Sequence, residues 1–201
     1  IIKMLDVKDD HLVVESKGIY SIENFLAARR LMYWQVYLHK TSVACEKMLI
    51  NTLTRAKELA REGHELHVSP ALHYFLYKDI TREAFFNDKE CLDIFTLLDD
   101  NDIWCALKAW TTHPDKVLST LSRGLVNRRL FKVEISAHPF SREYKKEITE
   151  RICTTFGINK REARYLLCSV IHEKDMYSPF DDHIEILYND GTTRDIAEAS
   201  D

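Results

Sequence analysis

The sequence predicts a mainly α-helical protein with a small C-terminal α+β subdomain. Glycine and proline are scarce, with five and four copies in 201 residues, which favours long helices over a turn-rich β-sandwich. Residues 22–61 contain neither residue type, so we expect one very long central helix there. Alternation of apolar and polar residues is concentrated in the last third of the chain, where it predicts strands.

Helix signals follow one another over the first two thirds of the chain. We interpret residues 1–7 as a helix end and residues 11–15 as a short strand, after which Ser21 caps the long helix and Gly63 ends it. Further helices are predicted to follow Pro70, Thr81, Asp100 or Asn101, and Pro114 (this one ending at Gly124), and to run from 142 to 156 between Ser141 and Gly157.

Strand patterns dominate the chain from residue 130 onward. Apolar alternation and apolar runs predict strands at 130–135, 165–171, 183–188 and 192–196, the last two joined by a hairpin turn at 189–191. We therefore divide the chain into a helical part, residues 1–129, and an α+β lobe, residues 130–201.

Composition limits the function. Charged residues make up 30% and apolar residues 45%, with a net charge of −4, which is ordinary for a globular protein and gives no strong nucleic-acid signal. The five cysteines include no Cys-x-x-Cys pair, which argues against a zinc ribbon or a disulfide framework and favours a cytoplasmic protein. We find no membrane-spanning apolar run and no signal peptide. Because the chain does not begin with Met, we expect a fragment.

Known catalytic motifs are missing from the sequence. It has no P-loop, dinucleotide-binding glycine motif, nucleophile elbow or Cys–His nucleophile pair, so we expect no catalytic residue and no metal site within it. His64, His67 and His73 have spacings that could ligate a metal, but surface histidines explain them more simply. We interpret the acidic run 99–102 as a helix start, and the basic residues of 123–132 as a solvated face or a second anion site.

The most informative stretch lies on the predicted long helix. At about 100° per residue, one sector of this helix holds Ile22, Leu26, Arg29, Tyr33, Tyr37 and Lys40. An apolar face that becomes cationic must meet an anion, because burying an unpaired charge is very costly. Either an internal carboxylate pairs with Arg29 while the tyrosines pack around it, or Arg29 binds a phosphate and a tyrosine binds the sugar of the same ligand.

The same stretch resembles a family signature. Residues 28–40 contain Ala-Arg-x-x-Met-Tyr-x-x-Val-Tyr-x-His-Lys, similar to the long-helix motif of the HD-domain phosphohydrolases. The deoxynucleoside triphosphate triphosphohydrolases, including the sterile-alpha-motif/HD type, are its best-known members. Residues 128–132, Arg-Arg-Leu-Phe-Lys, and residues 182–184, Asp-His-Ile, resemble two further elements of these proteins.

The resemblance implies a metal-dependent phosphohydrolase that acts on a (deoxy)nucleoside triphosphate or a related phosphoester. Its members hold a divalent metal through an H…HD…D set, and we expect Mg, Mn, Fe or Zn. The chain contains no His-Asp dipeptide, so we expect the metal site to lie upstream of Ile1 and this chain alone to be inactive. The alternative is a non-catalytic helical interaction or regulatory module.

The resemblance also implies roles for single positions. Arg29 matches an arginine that clamps the substrate phosphate, Tyr37 matches a tyrosine that packs on the deoxyribose, and Tyr33 matches an active-site position that is often histidine. Regulatory nucleotide binding at subunit interfaces is implied for His39, Lys40, Arg128, Lys132 and, across a gap, Lys17. We therefore expect a homo-oligomer that binds nucleotides or other phosphorylated small molecules.

Overall fold

The structure, a computed structural model, describes residues 1–171 and 183–199. It is mainly α-helical with a small four-stranded sheet, which confirms the predicted fold class. Contacts between Cα atoms divide the chain into two units. We call residues 1–39 with 170–201 the sheet unit, and residues 40–169 the helical unit.

Ten α-helices and four strands make up the described parts of the chain. The helices are α1 (Ile19–Met32), α2 (Lys40–Arg61), α3 (Pro70–Tyr77), α4 (Arg82–Asn87), α5 (Lys89–Thr96), α6 (Asp100–Trp110), α7 (Lys116–Val126), α8 (Arg142–Phe156), α9 (Lys160–Ala163) and α10 (Ile196–Ala199). The strands are β1 (Leu5–Lys8), β2 (His11–Glu15), β3 (Glu185–Leu187) and β4 (Thr193–Asp195). No helix in these parts is both long and apolar enough to cross a membrane.

The sheet unit takes its strands from both ends of the chain. β1 pairs with β2, and β3 pairs with β4, as antiparallel hairpins. β2 and β3 run parallel, with Val13 opposite Glu185. One side of α1 covers this sheet, where Ile22 and Leu26 pack against Ile186 in an apolar cluster. The unit therefore depends on pairing between segments that are far apart in sequence.

The core of the helical unit forms where α2 packs on α7. Leu118, Leu121 and Leu125 give α7 an apolar stripe with helical spacing, and the Met48 side chain lies on this stripe beside Gly124. A Cβ atom at Gly124 would lie 2.6 Å from Met48 Cε, so glycine permits this close approach of the two helices. Gly124 is thus a buried packing position, and the prediction that it ends the helix is wrong.

An ion pair fixes the register of these two helices. Arg55 Nη2 donates to Asp115 Oδ2 at 2.7 Å, and Arg55 Nε donates to Asp115 Oδ1 at 3.3 Å. Asp115 also caps α7 by accepting from the Leu118 amide at 2.8 Å. Because Arg55 lies late in α2 and Asp115 precedes α7, whereas Met48 meets Gly124 near the end of α7, the helices are antiparallel.

The charges around this pair extend to Arg164, the residue that follows α9. Glu58 accepts hydrogen bonds from Arg55 and from Arg164, and Arg164 also donates to the Tyr165 hydroxyl at 2.6 Å. Burial opposes ionisation of Asp115, but the hydrogen bonds from Arg55 and Leu118 outweigh it and lower the pKa of this carboxyl. The hydrogen bond with Asp115, opposed by burial, raises the pKa of the Arg55 guanidinium. Both groups therefore remain charged in the folded protein.

Several sequence predictions about elements are confirmed. Thr81 and Ser141 cap α4 and α8 through their side chains, and α3 begins at Pro70. Gly157 ends α8 in the left-handed conformation, with φ of 60°. The strand at 11–15 and the hairpin turn before β4 are also present.

Other predictions are wrong, and each error depends on whether a partner strand is available. Residues 1–7 form a short 3₁₀ turn and β1 rather than a helix end, since β2 offers a hairpin partner. Residues 130–135 and 165–171 do not form the predicted strands, because alternation marks a strand only where a partner strand is available. The predicted boundary between residues 129 and 130 stays a prediction, and Asp182 lies outside the described residues.

The long helix predicted over 22–61 is interrupted. α1 continues into a π-helical turn, Tyr33–Tyr37, and the chain leaves the helix at Leu38, whose φ and ψ are −93° and 10°. α2 then begins at Lys40. Neither Gly nor Pro marks this break, so the composition that predicted a continuous helix could not reveal it.

We expect Asp115→Asn to lower the free energy of unfolding by about 2–3 kcal/mol at neutral pH, because it removes the two-point ionised partner of the largely buried Arg55 and leaves only the longer contact with Glu58. The asparagine keeps the cap on α7. The pKa of Asp115 is lower in the folded than in the unfolded chain, so its stabilisation is present above the unfolded pKa of about 4 and is lost as the pH falls through the folded pKa. Urea denaturation at a series of pH values measures both effects.

Asp79→Asn is the matched control. Asp79 also accepts from an arginine, Arg61, but its side chain is 70% exposed, so its replacement should change stability little. An Asp115→Asn variant as stable as the wild type at neutral pH would contradict the importance of the ion pair.

Candidate functional site

The three residues predicted to bind substrate lie in one row on α1 and its π turn. The Arg29 guanidinium carbon is 5.6 Å from the centroid of the Tyr33 ring. The Tyr33 ring is in turn 5.2 Å from the Tyr37 ring, with 45° between their planes. The structure therefore brings these side chains together, as their spacing of four residues predicts.

A π-helical turn carries both tyrosines. The Leu38 amide donates to the Tyr33 carbonyl, five residues back, at 2.7 Å. π turns are rare and are frequently found at functional sites. Tyr37 is 55% exposed at the end of this turn, so its ring is available to a ligand. Sequence reasoning missed the π turn, and nothing in the residue types of 33–37 marks it.

Arg29 stands where the apolar face of α1 becomes exposed. Ile22 and Leu26 are buried in the sheet unit, whereas Arg29 is exposed. Among the described residues, no carboxylate makes an ion pair with Arg29. The described part of the chain therefore offers Arg29 no partner for an internal ion pair. Its guanidinium can bind an anion from solvent.

The break at Leu38 separates Lys40 from this row. Lys40 begins α2, which belongs to the helical unit. The angular count from Arg29 assumes a continuous helix, so it does not extend across the break to Lys40. His39, between the two helices, is exposed.

The residues predicted to bind a regulatory nucleotide are distributed over both units. In the sheet unit, Lys17 is exposed and pairs with Glu15. In the helical unit, Lys132 is exposed and lies 3.6 Å from a Glu134 carboxylate oxygen. Both cations are thus on the surface, with neighbouring carboxylates that a stronger anion could displace.

Helix topology brings Lys40 and Arg128 to the same end of the α2–α7 pair. Lys40 is the first residue of α2, and Arg128 follows the last turn of α7. Since the two helices are antiparallel, both cations lie at one end of the pair. Lys132 follows four residues later in a segment without regular structure.

Arg128 adopts a backbone conformation that usually belongs to glycine. Its φ is 56°. The Arg129 amide donates to the Gly124 carbonyl at 2.8 Å, and the Arg128 amide donates to the Leu125 carbonyl at 3.2 Å, which together form a Schellman ending of α7. An arginine in this left-handed position is strained, and strain of this kind is concentrated at binding and switch sites.

The candidate metal-binding histidines and the acidic run make structural contacts. His73 stacks on the Tyr77 ring at 4.1 Å, and His64 Nε2 lies 3.9 Å from a Glu62 oxygen. The acidic run 99–102 forms a capping box at the start of α6. Within residues 1–171 and 183–199, no group of three or more His, Cys, Asp or Glu side chains is placed to hold a metal ion.

Comparison with known proteins agrees with the family resemblance. Residues 1–70 match the family described as the HD associated region. The whole chain aligns with the crystal structure of a phosphohydrolase from Bacteroides thetaiotaomicron at 64% identity and a TM-score of 0.91. These two matches support an HD-type phosphohydrolase family. The matched region of residues 1–70 includes the Arg29–Tyr33–Tyr37 row.

The chain is shorter than the proteins it matches. It spans 50% of the Bacteroides phosphohydrolase chain. It is also 31% identical, over 132 residues, to an uncharacterized Bacillus subtilis protein, YwfO, and this match covers 66% of the chain but 28% of YwfO.

We expect Arg128→Gly to stabilise the protein by about 0.5–1 kcal/mol, because glycine adopts a positive φ without strain. Arg129→Gly is the matched control: it removes the same charge one residue later, where the backbone is not left-handed, and it should not stabilise. Thermal denaturation of both variants measures the difference. A lower melting temperature for Arg128→Gly than for Arg129→Gly would contradict the assignment of strain to Arg128.

Proposed function

We propose that this chain is the substrate-side and assembly portion of a metal-dependent HD-type phosphohydrolase that acts on a (deoxy)nucleoside triphosphate or a related phosphoester. The identity of 64% to a phosphohydrolase over the whole chain supports the reaction class. The match of residues 1–70 to the HD associated region supports the same family.

The observation that carries the proposal is the exposed Arg29 beside two tyrosine rings. A guanidinium donates in a planar fork that fits phosphate oxygens. The contact with the Tyr33 ring restricts the Arg29 side chain before a ligand arrives. The Tyr37 ring, next in the row, offers an apolar surface on which a sugar can pack. The row thus combines groups for the phosphate and for the sugar of a nucleotide.

The proposal assigns the metal ligands to other residues of a longer protein. The described residues do not fit a divalent metal, since they provide no group of three ligating side chains. In this proposal, the chain binds the substrate: Arg29 holds the phosphate and Tyr37 holds the sugar. All five cysteines are free thiols, which supports a cytoplasmic location in our proposal.

We also propose that the enzyme is a homo-oligomer with a regulatory nucleotide at a subunit interface. The common position of Lys40 and Arg128 at one end of the α2–α7 pair supports this. Lys132, His39 and Lys17 are the further residues assigned to this site. Cations gathered at an interface repel one another, and a bound triphosphate would replace this repulsion with charge-assisted hydrogen bonds.

In the full-length enzyme, we expect Arg29→Ala to reduce turnover about a hundredfold, which is the usual effect of losing one contact to charge that develops in the transition state. The melting temperature should change little, because Arg29 is exposed and makes no ion pair with the described residues. Arg30→Ala is the matched control, since Arg30 is also exposed but lies about 100° around the helix from Arg29. Steady-state release of phosphate or polyphosphate from nucleotides gives the rates.

The opposite pattern would favour the alternative function. If Arg29→Ala unfolded at a lower temperature but kept the wild-type rate, Arg29 would be a structural residue. The chain would then fit a non-catalytic helical interaction module better.

We expect a nucleoside triphosphate such as dGTP to promote association of the full-length protein. In sedimentation velocity at low salt, the mass of the sedimenting species should therefore increase. Lys132→Glu should abolish this response, because it reverses one of the interface charges. Lys160→Glu, on another exposed lysine of the helical unit, should respond as the wild type does. A wild-type mass that is the same with and without nucleotide would show that the regulatory assignment is wrong.

A further inference from the structure

A groove with aromatic walls lies on the helical unit, and its lining contains none of the residues assigned above. Phe75 of α3, Phe85 of α4 and Phe95 of α5 line it together with Ile80 and Leu98, and its volume is about 310 Å³. The Phe95 ring meets the Phe75 and Phe85 rings edge-on, at 6.0 and 5.2 Å between centroids. These contacts hold the groove in shape without a ligand.

Four large apolar side chains on α4 and α5 or at the C-cap of α5 are exposed. The exposed fractions are 73% for Phe86, 71% for Leu97, 49% for Phe95 and 47% for Leu92. Since a large side chain offers about 150–250 Å², these four expose on the order of 400 Å² of apolar surface. Patches of this size on soluble proteins often mark an interaction site.

Charges of both signs surround this apolar surface. Arg82 lines the groove and lies 5.8 Å from the Phe86 ring. α5 adds Lys89, Glu90 and Asp93, and Lys89 and Asp93 are one turn apart beside Leu92. None of these four charged side chains forms an ion pair with another residue in the described part of the chain. Their charges are therefore available to a partner.

We propose that α4 and α5 form a twofold interface between two copies of this chain. In a twofold interface the same patch must complement itself, so a patch with an apolar centre and a rim of both signs is the pattern required. Arg82 and Lys89 of one copy would face Glu90 and Asp93 of the other. A nucleic acid or an anionic membrane would instead require a surface of one sign.

The size of the patch agrees with a specific, reversible dimer. Standard interfaces bury about 800 Å² on each partner, of which a little more than half is apolar. The apolar surface of about 400 Å² supplies that share, and the charged rim supplies the rest. This interface is independent of the proposed function, since it contains none of the residues assigned to substrate or regulatory nucleotide.

Two charge-reversal variants of the full-length protein test the pairing. The first, Arg82→Glu with Lys89→Glu, makes the rim negative, and the second, Glu90→Lys with Asp93→Lys, makes it positive. Each alone should associate at least about tenfold more weakly than the wild type, because like charges meet across the axis. An equimolar mixture of the two should regain wild-type association. Sedimentation velocity over a concentration series, without added nucleotide, measures all four samples.

Phe86→Asp tests the apolar centre of the same interface. It should weaken association to a similar extent, whereas Ile135→Asp should not, although Ile135 is also a highly exposed apolar residue of the helical unit. Melting temperatures equal to that of the wild type would show that these variants fold. Equal masses for the wild type and both charge variants at every concentration would overturn the proposal. A mixture that fails to regain association would also overturn it, since the charges would then serve another partner.

Discussion

The arrangement of the helical unit depends on the ion pair between Arg55 and Asp115. Each side chain is 12% exposed, so each would be costly to hold as a lone charge. Together they form a two-point contact that has one favourable alignment of α2 against α7. The same carboxylate caps α7, so the start of this helix and its register against α2 are set by one side chain. A shift of either helix by a turn would separate the charges.

The alignment of α2 and α7 has consequences at the far end of the pair. Because Gly124 lets Met48 approach closely, the helices stay in contact up to the Schellman ending of α7. Arg128 then turns the chain away in a strained conformation. Lys40, at the start of α2, lies at the same end. The position of the surface cations is therefore a result of packing inside the unit.

Sequence reasoning predicted the elements whose signals are local. Side-chain caps such as Thr81 and Ser141 and the left-handed Gly157 act within one helix turn, so their residue types suffice to place them. The spacing of Arg29, Tyr33 and Tyr37 predicted their row for the same reason. The sequence could not predict the π turn, because its hydrogen bonds differ from those of an α-helix by one residue and no residue type requires them. The Arg55–Asp115 pair also escaped notice, since 60 residues separate its members.

The parallel pairing of β2 with β3 has a consequence for the order of folding. Val13 and its partner Glu185 are separated by almost the whole chain, so closing this pair costs the entropy of a very long loop. During synthesis β2 leaves the ribosome long before β3 is made. Until then, the apolar side of α1 cannot be fully buried. The helical unit relies on contacts within residues 40–169 and can form earlier. The sheet unit is therefore the late-folding part of the chain, and the interval before β3 arrives is when a chaperone would have most to protect.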